Sequence, residues 1–326
     1  MIRRTRLSTP VGRRHPTQGS GLQGILFAAL VAAGCSGGTP DSGDADSRGE
    51  TSVVTPGDVV VDDASGRTVR LDGPARRIVS LVPSATLTLR EMGAVDRLVG
   101  RTDFDTAAWA EGLPSVGGGL EPNLEAIVAL RPDLVIRFAG SQDRRTPARL
   151  DDLDIPHVAV RPDKVEDVLE AIRLLGAATR LEEQASGLVA RIQDGLARVE
   201  EMVEDLPRRR VAYVLGGTPP WVAGPGTYIN ELVTLAGGDN VFADLKDLYA
   251  AVSPEEVRAR DIEIVLVSGV EAFDPALAPD ARIEVVDAGI EIPGPDLAAA
   301  AFRLAELIHG PLDAPEASAS RGAHAP

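Results

Sequence analysis

Metal or nucleophilic chemistry in this chain would have to come from four histidines, one cysteine and a few serines. Their spacing does not support it. His15 and His324 lie near the two ends, while His157 and His309 stand alone at the ends of expected elements. A structural or catalytic zinc needs three or four converging ligands, so no metal ligand is assigned. Ser80, Ser84 and Ser268 lack the Gly-x-Ser-x-Gly pattern of a nucleophile elbow. Asp62-Asp63 and Asp151-Asp152 read as solvated turn pairs. The chain is expected not to be an enzyme and to carry no cofactor.

Recognition by charge is better supported. Glu125 and Glu255 lead two copies of one unit, Leu124-Glu125-Ala126-Ile127-Val128-Ala129-Leu130-Arg131-Pro132-Asp133 and Pro254-Glu255-Glu256-Val257-Arg258-Ala259-Arg260-Asp261-Ile262-Glu263. Aligned on those glutamates, 130 positions apart, both copies place an apolar residue two positions on, Ala four on and an acid eight on. An apolar run follows each acid, so a short helix led by a glutamate precedes a buried strand twice. Arg77-Ile78-Val79-Ser80-Leu81 is similarly echoed by Arg210-Val211-Ala212-Tyr213-Val214, an offset of 133. Two similar α/β lobes follow, with a cleft between them as the natural place for a ligand.

The elements that position these residues are legible in outline. Residues 59–71 alternate on both sides of a Gly-containing turn and predict a β-hairpin. A buried strand at 77–82 ends at Pro83-Ser84, where Ser84 is expected to cap a helix to about residue 92, stopped by Gly93. Residues 95–100 continue the alternation. A short helix at 125–130, strands at 134–138 and 155–160, and a helix at 164–175 with Gly176 after it complete a parallel-sheet pattern. Leu181, Ala185, Leu188, Val189, Ile192, Leu196, Val199 and Val203 hold helical spacing. The helix they predict over 181–206 would be about 37 Å long, enough to run the height of both lobes. Beyond Pro207 the plan repeats: a strand at 211–215, a helix at 227–236 closed by Gly237-Gly238-Asp239-Asn240, the Glu255 unit, a strand at 283–286 and a last helix at 295–309.

The ends read differently. Residues 1–24 carry five arginines and no acid, residues 25–33 are an apolar stretch, and Ala32-Ala33-Gly34-Cys35 follows. That order describes a secretory signal over 1–34, and the apolar run is shorter than the roughly 20 residues a spanning helix needs. Cys35, the only cysteine, resembles the lipidated cysteine of bacterial lipoproteins, although Ala32 stands where Leu is more usual. Residues 35–57 are rich in Gly, Ser, Asp and Thr and are expected to be a lipid-anchored flexible linker; 311–326 are expected to be a disordered tail. The expected divisions are an N-terminal lobe at 58–180, the backbone helix at 181–206 and a C-terminal lobe at 207–310. Without residues 1–34 the chain has 28 basic residues against 49 acidic ones, a formal balance of −21. Nucleic acid and anionic surfaces are therefore not expected as partners, and the membrane is met only through the anchor.

Four segments in order carry a family resemblance: Arg77-Ile78-Val79-Ser80-Leu81-Val82-Pro83-Ser84, residues 123–135, Ala236-Gly237-Gly238-Asp239-Asn240-Val241-Phe242, and Val252-Ser253-Pro254-Glu255-Glu256-Val257. The chain resembles, over about residues 59–309, the substrate-binding proteins of ABC importers for vitamin B12 and for iron–siderophore or haem complexes. The resemblance implies an α/β fold of two similar three-layer α/β lobes joined by a single long backbone helix. It implies a monomer outside the cytoplasmic membrane, holding a cobalamin-like corrinoid or a ferric chelate between lobes that close little. In this family a glutamate at the tip of each lobe docks onto the permease, and those positions match Glu125 and Glu255. Both glutamates also favour a helix N-terminus through its dipole, by about 0.3–1 kcal/mol.

Ligand contacts are expected at the carboxyl edges of the two sheets. The candidates are Ser84, Asp103, Phe104 and Gly118 in the first lobe and Trp221 and Tyr249 in the second. The chain has only two Trp, three Tyr and six Phe, so aromatic rings in Pro- and Ala-rich loops point to a cleft rather than a core. Trp221 and Tyr249 match positions where corrinoid-binding relatives carry aromatics, and Phe104 follows Asp103 where relatives carry Asp-Tyr. Where such relatives often place a tryptophan ahead of the Glu125 unit, this chain has Gly117-Gly118-Gly119, which removes a stacking surface. No Gly-Lys-Ser/Thr follows that run, so it is not a phosphate loop. Haem or a siderophore is the alternative cargo, and a non-transport lipoprotein sensor the alternative role.

Overall fold

The computed structural model describes residues 57–140 and 145–312. The expected signal, Cys35 and nearly all of the linker and tail lie outside the described residues. The first lobe comprises β1 (Val59–Asp62), β2 (Thr68–Leu71), β3 (Ile78–Ser80), α1 (Pro83–Glu91), β4 (Leu98–Gly100), α2 (Leu124–Leu130), β5 (Leu134–Phe138), α3 (Arg145–Asp152), β6 (His157–Val160) and α4 (Val165–Thr179). Helix α5 (Glu182–Val203) follows. The second lobe comprises β7 (Arg209–Gly216), β8 (Trp221–Ala223), α6 (Tyr228–Leu235), β9 (Gly238–Asn240), β10 (Tyr249–Ala251), α7 (Pro254–Arg258), β11 (Ile264–Val267), β12 (Arg282–Val285) and α8 (Leu297–His309).

The internal repeat is reproduced strand by strand. The first sheet has the order β4-β3-β5-β6 with every pairing parallel. In the second, β7 pairs in parallel with β9 and β11, and β11 with β12. Ile78 stands opposite Leu134 in the first sheet, and Val211 opposite Ile264 in the second. Those residues are related by the same offsets, 133 and 130, that relate the sequence copies. Each sheet is covered on both faces. Ile78, Leu134 and Ile136 join the central core while Val79 and Val135 join a cluster under α2 and α3. In the second lobe Val211, Tyr213, Ile264 and Leu266 face the central core, and Ala212, Val214, Val265 and Val267 the outer cluster. Alternation of this kind is what a strand buried on both faces requires.

One apolar core runs through both lobes by way of α5. Ala185, Leu188, Val189, Ile192, Leu196, Val199 and Val203 are all buried in it, each worth roughly 1–3 kcal/mol of removal from water. Helix α5 is shorter than the expected 181–206, at about 33 Å. Leu181 is its N-cap, following Arg180 in a left-handed conformation, and the chain leaves the helix at Glu204, three residues ahead of Pro207, which has no N–H with which to continue the helical ladder.

Three further expectations are corrected. Gly176 does not stop α4, which runs on to Thr179; a Cβ at Gly176 would collide with Ala185 of α5, so the glycine serves close helix packing. Residues Val95–Arg97 form a 3₁₀ turn rather than strand, and Arg97 Nη1 donates to the carbonyls of Thr179 and Ala75 at 2.6 and 3.1 Å. Gly238–Asn240 does not merely close α6 but adds a parallel strand to β7.

Candidate functional site

The second lobe carries two strands that have no counterpart in the first sheet, and they bear two of the aromatics. Trp221 and Tyr249 do not lie in loops as the sequence suggests. They sit on β8 and β10, two antiparallel three-residue strands that extend the second sheet beyond β7 and have no counterpart in the first. Ala251 stands opposite Trp221, and Tyr249 opposite Ala223. Main-chain pairing therefore fixes both rings along one sheet edge, with Trp221 49% exposed.

Two adjoining cavities open where the carboxyl ends of the two sheets meet. One, of about 770 Å³, is lined by Leu81, Val82 and Pro83 after β3, Phe104, Gly118 to Glu121, Phe138 at the end of β5 and Gly140 beyond it, Arg161 and Asp163 after β6, and Leu248 and Tyr249. The other, of about 620 Å³, is lined by Phe138, Pro162, Asp163, Leu215 to Gly217 at the end of β7, Trp221, Tyr228, Ile229, Tyr249, Glu291 and Pro293. Phe138, Asp163 and Tyr249 border both, so the two are parts of one inter-lobe cleft. Each volume lies in the range of roughly 300–1,000 Å³ typical of small-molecule sites.

The cleft brings together Phe104, Gly118, Trp221 and Tyr249 of the sequence candidates. Phe104 is 67% exposed, a large apolar surface left open to solvent. Ser84 and Asp103 are not brought in. The N-cap of α1 is Val82, with Pro83 in the first turn and no side-chain cap; Ser84 is buried, its Cβ 3.4 Å from where a side chain at Gly294 would begin. Asp103 accepts a 2.5 Å hydrogen bond from Ser115 Oγ and is turned to the outer loop. The glycine run has a local reason: a Cβ at Gly119 would collide with the Leu81 carbonyl oxygen. Trp109 is half-buried against the central core beneath Arg90, whose guanidinium carbon is 5.0 Å from the ring centroid.

Sequence reasoning missed Phe138, Arg161 and Asp163. They end β5 or follow β6 and were findable by the same edge rule that selected residues after β3. Glu291 arrives on a 3₁₀ turn, Ala288–Glu291, within residues 289–293, which that rule does select in the second lobe.

The cleft floor is also where the lobes are tied. Tyr228 N–H at the start of α6 donates to the Asp163 carbonyl at 2.5 Å, and Val165 N–H at the start of α4 donates to Glu231 Oε2 of α6 at 2.7 Å. All three tyrosines of the chain gather here. Burial and then the charges of Asp163 and Glu291 push the Tyr249 hydroxyl up to about 12, and burial pushes Tyr213 and Tyr228 higher still. The hydroxyls stay protonated and act as hydrogen-bond donors.

Glu125 and Glu255 stand away from the cleft in matched settings. Each is the second residue of a helix, α2 or α7, capped by a side-chain oxygen: Asn123 Oδ1 accepts from Ala126 N–H at 3.0 Å, and Ser253 Oγ from Glu256 N–H at 3.1 Å. Both glutamates are exposed, and neither has an ion-pair partner among the described residues. Two residues on, Ile127 and Val257 are buried and root each helix in its lobe. Among the described residues no helix is long and apolar enough to cross a membrane and no three His, Cys, Asp or Glu side chains converge as metal ligands.

Comparison with known proteins places this architecture. The family model described as periplasmic binding protein matches residues 78–284. A cobalamin-binding protein of Halobacterium salinarum is 33% identical over 218 residues, 64% of this chain and 58% of that protein; the chain thus spans less than two thirds of that relative. An uncharacterized ABC transporter substrate-binding lipoprotein of Bacillus subtilis is 28% identical over 255 residues, 76% of this chain and 80% of that one. The crystal structure of the periplasmic vitamin B12-binding protein of Vibrio cholerae superposes with a TM-score of 0.64 at 23% identity, covering 72% of this chain and 97% of that one.

Proposed function

The chain belongs to the periplasmic binding protein family, and from that premise we propose that it is the substrate-binding component of an ABC importer. Its cargo is a cobalamin-like corrinoid or a ferric chelate, held in the inter-lobe cleft outside the cytoplasmic membrane. The observation that carries this reading is the aromatic border of the cleft: Phe104 and Phe138 of one lobe line one cavity with Tyr249 of the other, and Phe138 lines the adjoining cavity with Trp221 and Tyr249. Flat or rounded chelates present large apolar faces to such rings, and the protonated Tyr249 hydroxyl supplies a donor for a peripheral carbonyl. The names of the Halobacterium salinarum and Vibrio cholerae proteins support a corrinoid.

Delivery uses Glu125 and Glu255 as paired contacts for a permease, one per lobe, and Cys35 tethers the protein by a lipid anchor through residues 36–57. A lobe arrangement cross-linked beneath the cleft and threaded by one apolar core supports a protein that moves little on binding. Equilibrium titration with cyanocobalamin, haemin and a set of ferric siderophores tests the proposal. Saturable binding of a corrinoid or ferric siderophore is expected, and no binding by any of the three classes contradicts it.

A further inference from the structure

The charged groups of the cleft are unevenly matched. The described charged side chains lining its two cavities are Glu121, Asp163, Glu291 and Arg161. Two of the three carboxylates have guanidinium partners. Arg161 Nε lies 2.6 Å from Asp163 Oδ2, and Arg145 Nη2 lies 2.9 Å from Glu121 Oε1. Glu291 has no ion-pair partner among the described residues. It accepts instead from two hydroxyls, Ser268 Oγ and, at 3.4 Å, Tyr213 Oη.

Its surroundings make that charge count. Glu291 shares its cavity wall with Ile229, Leu215, Pro293 and the buried Tyr228, so water screens it less than it screens a surface carboxylate. The one guanidinium among the described lining residues is already engaged by Asp163. An anionic group on a ligand would meet an uncompensated negative charge and no available cation along the described walls.

We propose that Glu291 is a specificity-determining residue that restricts the cleft to chelates carrying no net negative charge. This rests on the reading above that the cleft holds a metal chelate, and it narrows that class. Neutral and cationic corrinoids and hydroxamate chelates are accepted; polyanionic chelates and those that must bury a carboxylate are rejected. Rejection follows from Coulomb repulsion in a partly dry site. Acceptance follows from a donor or cation on the ligand pairing with a carboxylate already oriented by Ser268 and Tyr213.

The test uses the full chain and ligand pairs that differ by one negative group at nearly constant shape. Cyanocobalamin is compared with its monocarboxylate, and N-acetyl ferrioxamine B with its N-succinyl analogue, by quenching of tryptophan fluorescence at low and high salt. Haemin is titrated alongside. In whichever pair binds, the more anionic member is expected to bind at least about tenfold more weakly at low salt. Salt should narrow that gap, as should Glu291→Gln. Equal or tighter binding of the anionic member, or a gap that neither salt nor E291Q changes, overturns the inference. The wild-type salt series decides the matter even where the variant folds poorly. Tight binding of haemin alone, with its two propionates, overturns the inference and leaves the transport reading standing. Silence from every ligand contradicts the transport reading and removes this inference with it.

Discussion

Arg210 repeats in the second lobe the contact that Arg77 makes in the first. Arg77 Nε donates to the Arg131 carbonyl at 3.0 Å, and Arg210 Nε to the Asp261 carbonyl at 2.8 Å. Those carbonyls lie six residues past Glu125 and Glu255. The acids eight residues past the same glutamates close the motif from the other side: Asp133 accepts from Arg77 N–H at 2.9 Å and Glu263 from Arg210 N–H at 2.8 Å. Each glutamate-led helix is thus pinned to the start of the corresponding strand of its own lobe, β3 or β7. The two carboxylates are held by equivalent scaffolds rather than merely favoured at helix starts.

Charge reversal at both handles, Glu125→Lys with Glu255→Lys, is therefore expected to abolish ligand uptake in cells. Affinity for the ligand should stay within about twofold, and stability should fall by about 1 kcal/mol per site, because a charge favoured at a helix start is replaced by one disfavoured there. Uptake assays beside calorimetric binding separate the two effects. Unchanged uptake would favour a sensor over a transport component.

The aromatic edge should carry affinity without carrying the fold. Trp221→Ala and Tyr249→Ala should each weaken ligand binding by roughly 10- to 100-fold, the range of an aromatic anchor at an interface. Trp221 is half exposed, so its loss should leave thermal unfolding nearly unchanged.

How these rings come to face the cleft was only partly legible in the chain. The repeat, the long helix and the alternation in β3, β5, β7 and β11 are long-range patterns that survive small errors of boundary. Strands β8 and β10 are three residues each, Trp-Val-Ala and Tyr-Ala-Ala, too short for alternation to show. They exist because the edge of β7 offers unpaired backbone groups. Helix α3 was missed because Arg145–Asp152 contains little apolar residue and a proline at position 147, tolerated only because it falls in the first turn. Ser84 was misplaced because Pro83 and Ser84 compete for the same helix start, and proline takes the first turn.

The tie between lobes makes a prediction of its own. Glu231→Ala leaves the Val165 N–H at the start of α4 without its acceptor from α6. A loss of about 1 kcal/mol is expected, comparable to removal of a helix cap, read as a lower urea midpoint with an unchanged slope.

Acid stability should report on His157. Its ring is buried, with Arg137 Nε 3.0 Å from Nδ1 and Arg67 Nη1 2.8 Å and Asp151 Oδ1 3.1 Å from Nε2. Burial first, then the two guanidinium charges, hold its proton affinity below the ordinary 6.5, against an opposing pull from Asp151. Below pH 6.5 the unfolded chain takes up a proton that the folded chain refuses, so stability is full above that value and falls as pH drops through the depressed folded value. Urea midpoints measured from pH 8 to pH 5 should decline below about 6.5, and His157→Gln should flatten that part of the curve. The paired carboxylates Asp63 and Asp151 are depressed from their own lower values and contribute only in more acid solution.

The central claim is that the cleft between Phe104, Phe138, Trp221 and Tyr249 holds a metal chelate. Calorimetric titration of cyanocobalamin and of ferric hydroxamates into the wild-type protein and into the Trp221→Ala/Tyr249→Ala double variant tests it most directly. One site per chain with a Kd on the order of micromolar or tighter, lost in the double variant, is the predicted result. Binding that the double variant retains undiminished, or no heat from any chelate, would contradict it.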